Sequence, residues 1–321
     1  MKPISIYVIA LLFVFSTAFL AQAGSLAPLD NEDPYMTKTF TINTPGKVMV
    51  RTSGGSITVS GHNGNDVEVK MYVKKNGSSS WFSSDDDIEE ALEEYDISIR
   101  QDGNTVYAEA ERRGRNWGNN NLSISFVLEV PQDISADLNT SGGSINLSKV
   151  EGEHNVKTSG GSLNFDEITG YTEAHTSGGS INISQYDGVM KGNTSGGSIR
   201  ANNSKGELNL HTSGGSIVLE DVSGNIDAHT SGGSIKAFVN DLDEYLTLKT
   251  SGGSINAVIP QGIGVDLNLS GNRVNTKLTN FTGQAEKNNI EGSMNGGGVP
   301  ITLKTSGGSV NLDYHRMEAS K

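Results

Sequence analysis

The pentapeptide Thr-Ser-Gly-Gly-Ser occurs nine times in this chain, starting at Thr52, Thr140, Thr158, Thr176, Thr194, Thr212, Thr230, Thr250 and Thr305. The six starts from Thr140 to Thr230 are evenly spaced, and the interval between neighbouring starts is eighteen residues each time. A short period kept this strictly is the signature of a repeat architecture, in which each unit packs only against its neighbours. The chain is therefore expected to fold as a stack of equivalent units.

Apolar and polar residues alternate on both sides of the glycine pair. With the threonine counted as position 1, position 6 is Ile or Leu in seven successive units, from Ile145 to Ile255. Position 18, just before the next threonine, is Asn, Lys or His in the units from Asn139 to Lys249. Alternation with a period of two is typical of a strand with one buried face. Each unit therefore contains two strands.

Eighteen residues are too few for a helix and two strands, so the units cannot be βαβ units. The remaining arrangement is a chain that winds in coils and places each strand parallel to its equivalent in the next coil, about 4.8 Å away. The predicted fold is thus all-β, a parallel β-solenoid with coils of about 18 residues and one continuous apolar core.

Glycine marks two corners in each predicted coil. The Gly-Gly pair of the pentapeptide forms one corner, and a single glycine at position 13 forms the other, at Gly152, Gly170, Gly188, Gly206 and Gly224. Glycine adopts positive φ without steric cost, so we expect positive φ at both corners. The pentapeptide is not a phosphate-binding loop, because neither Lys-Ser nor Lys-Thr follows its glycines.

The flanks divide the chain into five segments. Residues 1–23 have a basic start, an apolar run and the ending Ala21-Gln22-Ala23, which indicates a secretory signal peptide; a retained anchor helix is the alternative. Residues 24–36 are assigned as a flexible linker and 37–135 as a β-rich capping region with the first strands. Residues 136–313 are the solenoid repeats, and 314–321 are a C-terminal tail.

The capping region contains the acidic segment "SSDDDIEEALEEYDISIR", whose apolar residues Ile88, Ala91, Leu92 and Tyr95 have helical spacing. A short acidic helix is therefore expected between two strands. An uncovered solenoid edge invites aggregation, so the region is expected to cover the first coil.

Composition restricts the partners of the chain. There is no cysteine, which excludes disulfides and thiolate metal sites. The formal net charge is −13. Basic residues are scattered along the sequence, so nucleic acid is not an expected partner. Beyond the signal peptide no segment is apolar enough to span a membrane, which predicts an exported protein in the periplasm, at the cell surface or outside the cell.

The ordered succession of "FTINTPGKVMVRTSGGSITVSG", the acidic insert, the 18-residue repeats and "IEGSMNGGGVPITLKTSGGSVNL" resembles a bacterial family of "putative adhesins". The resemblance covers residues 37–312. It implies a secreted or surface-exposed β-solenoid of unknown function, and it supplies no established catalytic residues.

Two groups of side chains are candidates for chemistry. His175, His211 and His229 share position 18, so they form either a metal site with a further ligand or a solvated row of side chains. Several carboxylates lie where strands meet turns and form either an acid and base pair or plain surface charge: Asp166, Glu167, Asp187, Glu220 and Asp221. Calcium-binding coils are excluded because repeated carboxylates are missing from the glycine-rich segments.

We therefore predict no catalytic, cofactor-binding or metal-binding residue and no cofactor. The leading hypothesis is an adhesin-like structural or interaction protein of the cell envelope, which binds glycan or protein through rows of polar side chains. The alternative is a carbohydrate-active lyase or glycosidase that uses the carboxylates of an outer face.

Overall fold

The structure is a computed structural model, and it describes residues 33–75, 85–114 and 122–316. The predicted signal peptide lies outside these residues. Across the three described ranges, no helix has the length and apolar character needed to cross a membrane.

The N-terminal part is a set of strands with one helix, as the sequence predicted. The elements in chain order are β1 (Met36–Thr41), β2 (Gly46–Thr52), β3 (Ile57–His62), β4 (Asp66–Lys75), α1 (Asp85–Leu92), β5 (Tyr95–Asp102), β6 (Thr105–Arg112) and β7 (Leu122–Pro131). The helix α1 lies within the predicted acidic segment, and its Ala91 is buried.

The central part consists of the 18-residue repeats. Its strands are β8 (Ile134–Thr140), β9 (Ile145–Thr158), β10 (Leu163–Thr176), β11 (Ile181–Thr194), β12 (Ile199–Thr212), β13 (Ile217–Thr230), β14 (Ile235–Thr250) and β15 (Ile255–Pro260). Each of the long strands β9 to β13 has a left-handed residue at position 10, which divides it into a first limb, positions 6 to 9, and a second limb, positions 11 to 18. Strand β14 belongs to a repeat of 20 residues and pairs with β13 through register shifts.

The C-terminal part has shorter strands. They are β16 (Val265–Ser270), β17 (Arg273–Thr276), β18 (Phe281–Ala285), β19 (Asn289–Met294), β20 (Val299–Thr305) and β21 (Ser309–His315).

Successive repeats stack in parallel and in register. Ile181 of β11 faces Leu163 of β10 and Ile199 of β12, and Thr194 faces Thr176 and Thr212 in the same way. The long strands from β9 to β13 pair in parallel with a constant offset of one repeat. The predicted parallel β-solenoid is confirmed.

The ends of the stack do not follow chain order. The coil formed by β2 and β3 lies between the coil of β6 and β7 and the coil of β8 and β9. On the outer side of the coil of β6 and β7, β4 pairs antiparallel with β7 and β5 pairs antiparallel with β6, so they cover the edge of that coil. The predicted boundary between residues 135 and 136 stays a prediction. Gly46–His62, which lie in the predicted capping segment, form a coil of the stack and pair with β8 and β9.

The C-terminal end has the same kind of arrangement. The last coil in the sequence, β20 and β21, pairs with β14 and β15 on one side and with β16 and β17 on the other. Strand β19 then covers β16 in antiparallel fashion.

The core is a continuous column of apolar side chains. The predicted Ile or Leu at position 6 is buried in every repeat, from Ile145 to Ile255, at 1% exposure or less. Position 11, which lies two residues before the glycine of the second corner and was not predicted to point inward, is buried as well, as shown by Val150, Ile168 and Tyr186. The Tyr186 hydroxyl donates to the carbonyl oxygens of Gly170 and Val189, at 3.0 and 2.8 Å.

The second corner uses positive φ, as predicted for its glycines. Gly170, for example, has φ of +113° and Gly188 has +138°. Three residues earlier, position 10 is also left-handed, with φ between 49° and 57°, although it is not glycine: Lys149, Glu167, Gln185, Asn203 and Asp221. The chain therefore turns at positions 10 and 13 together.

The expectation of positive φ at the Gly-Gly corner is wrong. Neither Gly178 nor Gly179 has positive φ. The second glycine is needed for a different reason, because a Cβ on Gly179 would overlap the carbonyl oxygen of Gly161 in the preceding coil. A Cβ on Gly178 would stay 3.5 Å from its nearest neighbour, the Gly160 oxygen, which is ordinary contact.

The constant spacing of the corner is explained by the threonine hydroxyl. Thr176 is fully buried, its Oγ1 donates to the Gly161 carbonyl of the preceding coil at 2.8 Å, and it accepts from the Gly179 N–H at 3.2 Å. The same pair of bonds recurs at each threonine from Thr140 to Thr305. We call this pair of bonds the threonine clamp.

The two glycines of one corner should differ sharply in their tolerance of alanine. Gly179→Ala forces the backbones of two coils apart, and overpacking of this kind costs about 1–3 kcal/mol or more. Gly178→Ala adds a methyl group in ordinary contact and is the matched control. Thermal or urea unfolding followed by circular dichroism measures both variants. Equal stability of the two would contradict the backbone contact described here.

Candidate functional site

The outer surface of the stack is made of columns, each containing the residues at one repeat position in successive coils. On the first limb, position 7 carries amides that bond from coil to coil. Asn164 Nδ2 donates to Asn146 Oδ1 at 2.7 Å, and Asn182 Nδ2 donates to Asn164 Oδ1 at 2.8 Å. We call these three residues the asparagine ladder.

On the second limb, position 18 forms a column directly before the threonines. The register pairs its nine members in this order: Arg51, Asn139, Lys157, His175, Asn193, His211, His229, Lys249 and Lys304. We call this set the basic column, since four members are Lys or Arg and none is acidic. All of its members are at least partly exposed.

The three candidate histidines lie in the basic column, and two of them are neighbours. His211 pairs in register with His229, and their ring centroids are 6.5 Å apart. His229 Nε2 lies 2.5 Å from Asp227 Oδ1. Among the residues whose placement is described, no three His, Asp or Glu side chains are arranged to hold a metal ion. His229 Nε2 and Asp227 Oδ1 are buried, so the other polar atoms of His211, His229 and Asp227 are the hydrogen-bonding groups that a ligand could reach.

A shallow groove runs over this part of the second limb. Its volume is about 300 Å³. Its lining is Lys191, Asn193, Asn209, Leu210, His211, Asp227 and His229. Amide, imidazole, carboxylate and ammonium groups all face this groove, which suits it to a polar ligand held by hydrogen bonds.

Two of the candidate carboxylates, Asp166 and Glu220, are too far apart to act as an acid and base pair. Asp166 and Glu220 share position 9, but two coils lie between them, so three strand spacings, about 14 Å, separate their backbones. The carboxylates of glycosidases lie about 5–9.5 Å apart. Asp187 and Glu220 instead bond lysines of neighbouring coils, Lys205 at 2.9 Å and Lys236 at 3.4 Å.

Glu220 and Asp221 do line a second cavity, of about 320 Å³, beside Lys236 and Phe238. Glu167 and Asp221 occupy the left-handed position 10 of their coils and are exposed. Glu220 forms an ion pair with Lys236 and Asp221 is exposed, so both carboxylates are part of a charged surface.

A histidine lies inside the core. His154 occupies position 15, between Ala136 and Thr172 of the adjacent coils, and is 1% exposed. Neither ring nitrogen has a hydrogen-bond partner in the described part of the chain. Burial lowers the pKa of His154 to about 4, because a charged imidazolium is poorly solvated there. His154 is therefore neutral in the folded protein at neutral pH.

Comparison with known proteins agrees with this fold. Residues 188–313 match the family model described as Toastrack DUF4097, and this match confirms the resemblance to a β-strand repeat family that the sequence predicted. No curated protein matches the chain.

Several solved structures are similar. A putative cell adhesion protein from Clostridium sporogenes is 13% identical, with 88% of this chain and 100% of that chain covered and a TM-score of 0.23. A putative adhesin from Parabacteroides distasonis is 10% identical, with 86% and 96% covered and a TM-score of 0.37. A putative adhesin from Bacteroides fragilis is 13% identical, with 87% and 96% covered and a TM-score of 0.32.

The burial of His154 predicts a specific dependence of stability on pH. Between about pH 6.5 and pH 4 the unfolded chain binds a proton at His154 and the folded chain does not, so the free energy of unfolding falls as pH falls. The loss is on the order of 3 kcal/mol across this window. His154→Leu should remove this part of the pH dependence.

His175→Asn, in the exposed basic column, is the control and should keep the pH dependence of the wild type. Urea unfolding of the three proteins between about pH 7 and pH 4 provides the measurement. The account fails if His154→Leu and the wild type lose the same stability over this range.

Proposed function

We propose that the protein is exported and acts as a non-catalytic, adhesin-like interaction protein of the cell envelope or surface. It binds glycan through rows of polar side chains repeated at the strand spacing. The observation that carries the proposal is the regularity of these rows: the same outward position is presented coil after coil, in register, as the asparagine ladder and the basic column illustrate.

The chemistry of the rows suits carbohydrate. Amides, hydroxyls and imidazoles donate and accept hydrogen bonds, and a sugar polymer offers many hydroxyl groups at regular intervals. Each contact is weak, but equivalent contacts along one rigid surface raise the effective concentration of the next, so affinity grows with ligand length. The rigid parallel stack keeps these contacts at fixed intervals.

The wide separation of Asp166 and Glu220 supports binding without turnover. Export is supported by the form of residues 1–23, which indicates a signal peptide. The similarity of residues 188–313 to the Toastrack family fits an interaction role carried by the coils.

A glycan array probed with the mature protein tests this function. We expect binding to one class of polymeric glycan, with affinity that increases with chain length, and no release of sugar fragments on prolonged incubation. A variant with Asp166, Glu167, Glu220 and Asp221 all replaced by alanine is the matched comparison. Fragment release by the wild type that disappears in this variant would instead make the protein a carbohydrate-active enzyme.

A further inference from the structure

We propose that the basic column binds a linear polysaccharide bearing carboxylate groups, which lies along the stack with successive sugar units over successive coils. This inference rests on the proposed function and names the class of glycan. It assigns the column as the principal binding surface.

The first observation is the charge of the column. The chain as a whole has 37 acidic and 24 basic residues, yet nine consecutive coils carry no carboxylate at position 18. At one end the column without carboxylates stops at Arg51, because the register partner of Arg51 on β6 is Glu109. At the other end the partner of Lys304 on β16 is Ser270, which is not acidic either. A positive row on an acidic protein is a local feature that attracts anions.

The second observation is that the four permanent cations of the column are unpaired within the described part of the chain. The side chains of Arg51, Lys157, Lys249 and Lys304 form no ion pair or hydrogen bond with any residue the structure describes. Two other lysines of the coils do pair with a carboxylate of the neighbouring coil, Lys205 with Asp187 at 2.9 Å and Lys236 with Glu220 at 3.4 Å. The basic column therefore keeps its charges available.

The third observation is a local repulsion. Lys249 and Lys304 are register partners on adjacent parallel strands, and like charges at such positions destabilise a sheet. A bound polymer with carboxylates at intervals along its length would offset this repulsion in proportion to the number of cations it meets.

The geometry favours a thin, extended polymer. From Arg51 to Lys304 the column spans eight strand spacings, about 38 Å, and the strand spacing is close to the length of one pyranose unit in an extended chain. Asn139 and Asn193 lie between the charged members, so hydroxyl groups find amide partners between the carboxylates. The exposed serine that follows each threonine, such as Ser177, adds a hydroxyl beside the column.

The same geometry disfavours nucleic acid. The neighbouring column, position 16, contains Asp137, Glu173 and Asp227, which repel any polymer with a negative charge on every unit, so charge alone does not separate nucleic acid from a carboxylated glycan. The basic column also has no aromatic side chain other than its imidazoles, and single-stranded nucleic acid is held largely by stacking on aromatic residues. A carboxylated glycan needs no such stacking, so it fits this feature.

Binding to polygalacturonate, a linear carboxylated polysaccharide, tests the inference. The controls are the same polymer with its carboxylates methyl-esterified and a single-stranded oligo-dT. The column variant carries Arg51→Gln, Lys157→Gln, Lys249→Gln and Lys304→Gln. The control variant removes the same number of positive charges elsewhere on the coils, through Lys149→Gln, Arg200→Gln, Lys205→Gln and Lys236→Gln.

We expect the wild type to bind polygalacturonate at low ionic strength and to bind it more weakly as salt is added. It should not bind the methyl-esterified polymer. The column variant should lose at least about tenfold in affinity, and the control variant less than about twofold. Oligogalacturonides should bind more tightly as they lengthen, until they span the column.

Failure to bind polygalacturonate, equal binding of the methyl ester, stronger binding of oligo-dT, or an equal loss in both variants would each overturn the inference. Binding of the wild type to neutral glycans on the array, together with no binding of polygalacturonate, would overturn the inference and leave the proposed function standing. Circular dichroism melting of both variants confirms that they are folded.

Discussion

The structure depends on the direct contact of successive backbones at the Gly-Gly corner. From Gly143 to Gly308, the second glycine of each corner lies so close to its counterpart in the adjacent coil that no side chain fits between them. The threonine clamp holds the same point, since each hydroxyl joins the carbonyl of one coil to the N–H of the next, and each such bond contributes about 0.5–1.5 kcal/mol. With the corners fixed, the limbs can pair only in register, and the isoleucines and leucines at position 6 must share one interior.

The ends of the stack show how this fold avoids open edges. The first coil in the sequence, β2 and β3, is covered by β6 and β7, which come later in the chain. The last coil, β20 and β21, is covered by β16 and β17, which come earlier. Antiparallel strands then cover the outer coil. Threading the terminal repeats inside the stack requires long-range contacts, which tie the ends to the centre and hide strand edges that would pair with other chains.

The sequence predicted the coils well because position 6, position 17 and the threonine keep a simple alternation, as in Ile181, Ala174 and Thr176. It did not reveal the bend at position 10, because only two of the five residues there, Asn203 and Asp221, are of the types that favour left-handed φ. The inward direction of Tyr186 follows from that bend and was missed with it.

Seven of the nine members of the basic column were visible in the sequence at position 18, but the two end members were missed, because they are distant in sequence from the residues beside them in the stack. Arg51 pairs with Asn139, and Lys304 pairs with Lys249, although in both cases other strands intervene along the chain. A simple signal was available, since every member of the column is the residue directly before a threonine of the pentapeptide.

Deletion of one whole coil tests most directly whether equal coils stacked in register are the unit of this fold. Removal of Ser177–Thr194 takes out one complete repeat and rejoins Thr176 to Ser195, so every inward position stays inward. Removal of Ser177–Gln185 takes out half a coil and breaks the register of everything that follows. We predict that the first variant unfolds cooperatively with a native-like circular dichroism spectrum and that the second does not fold. Equal disruption by the two deletions would contradict the account.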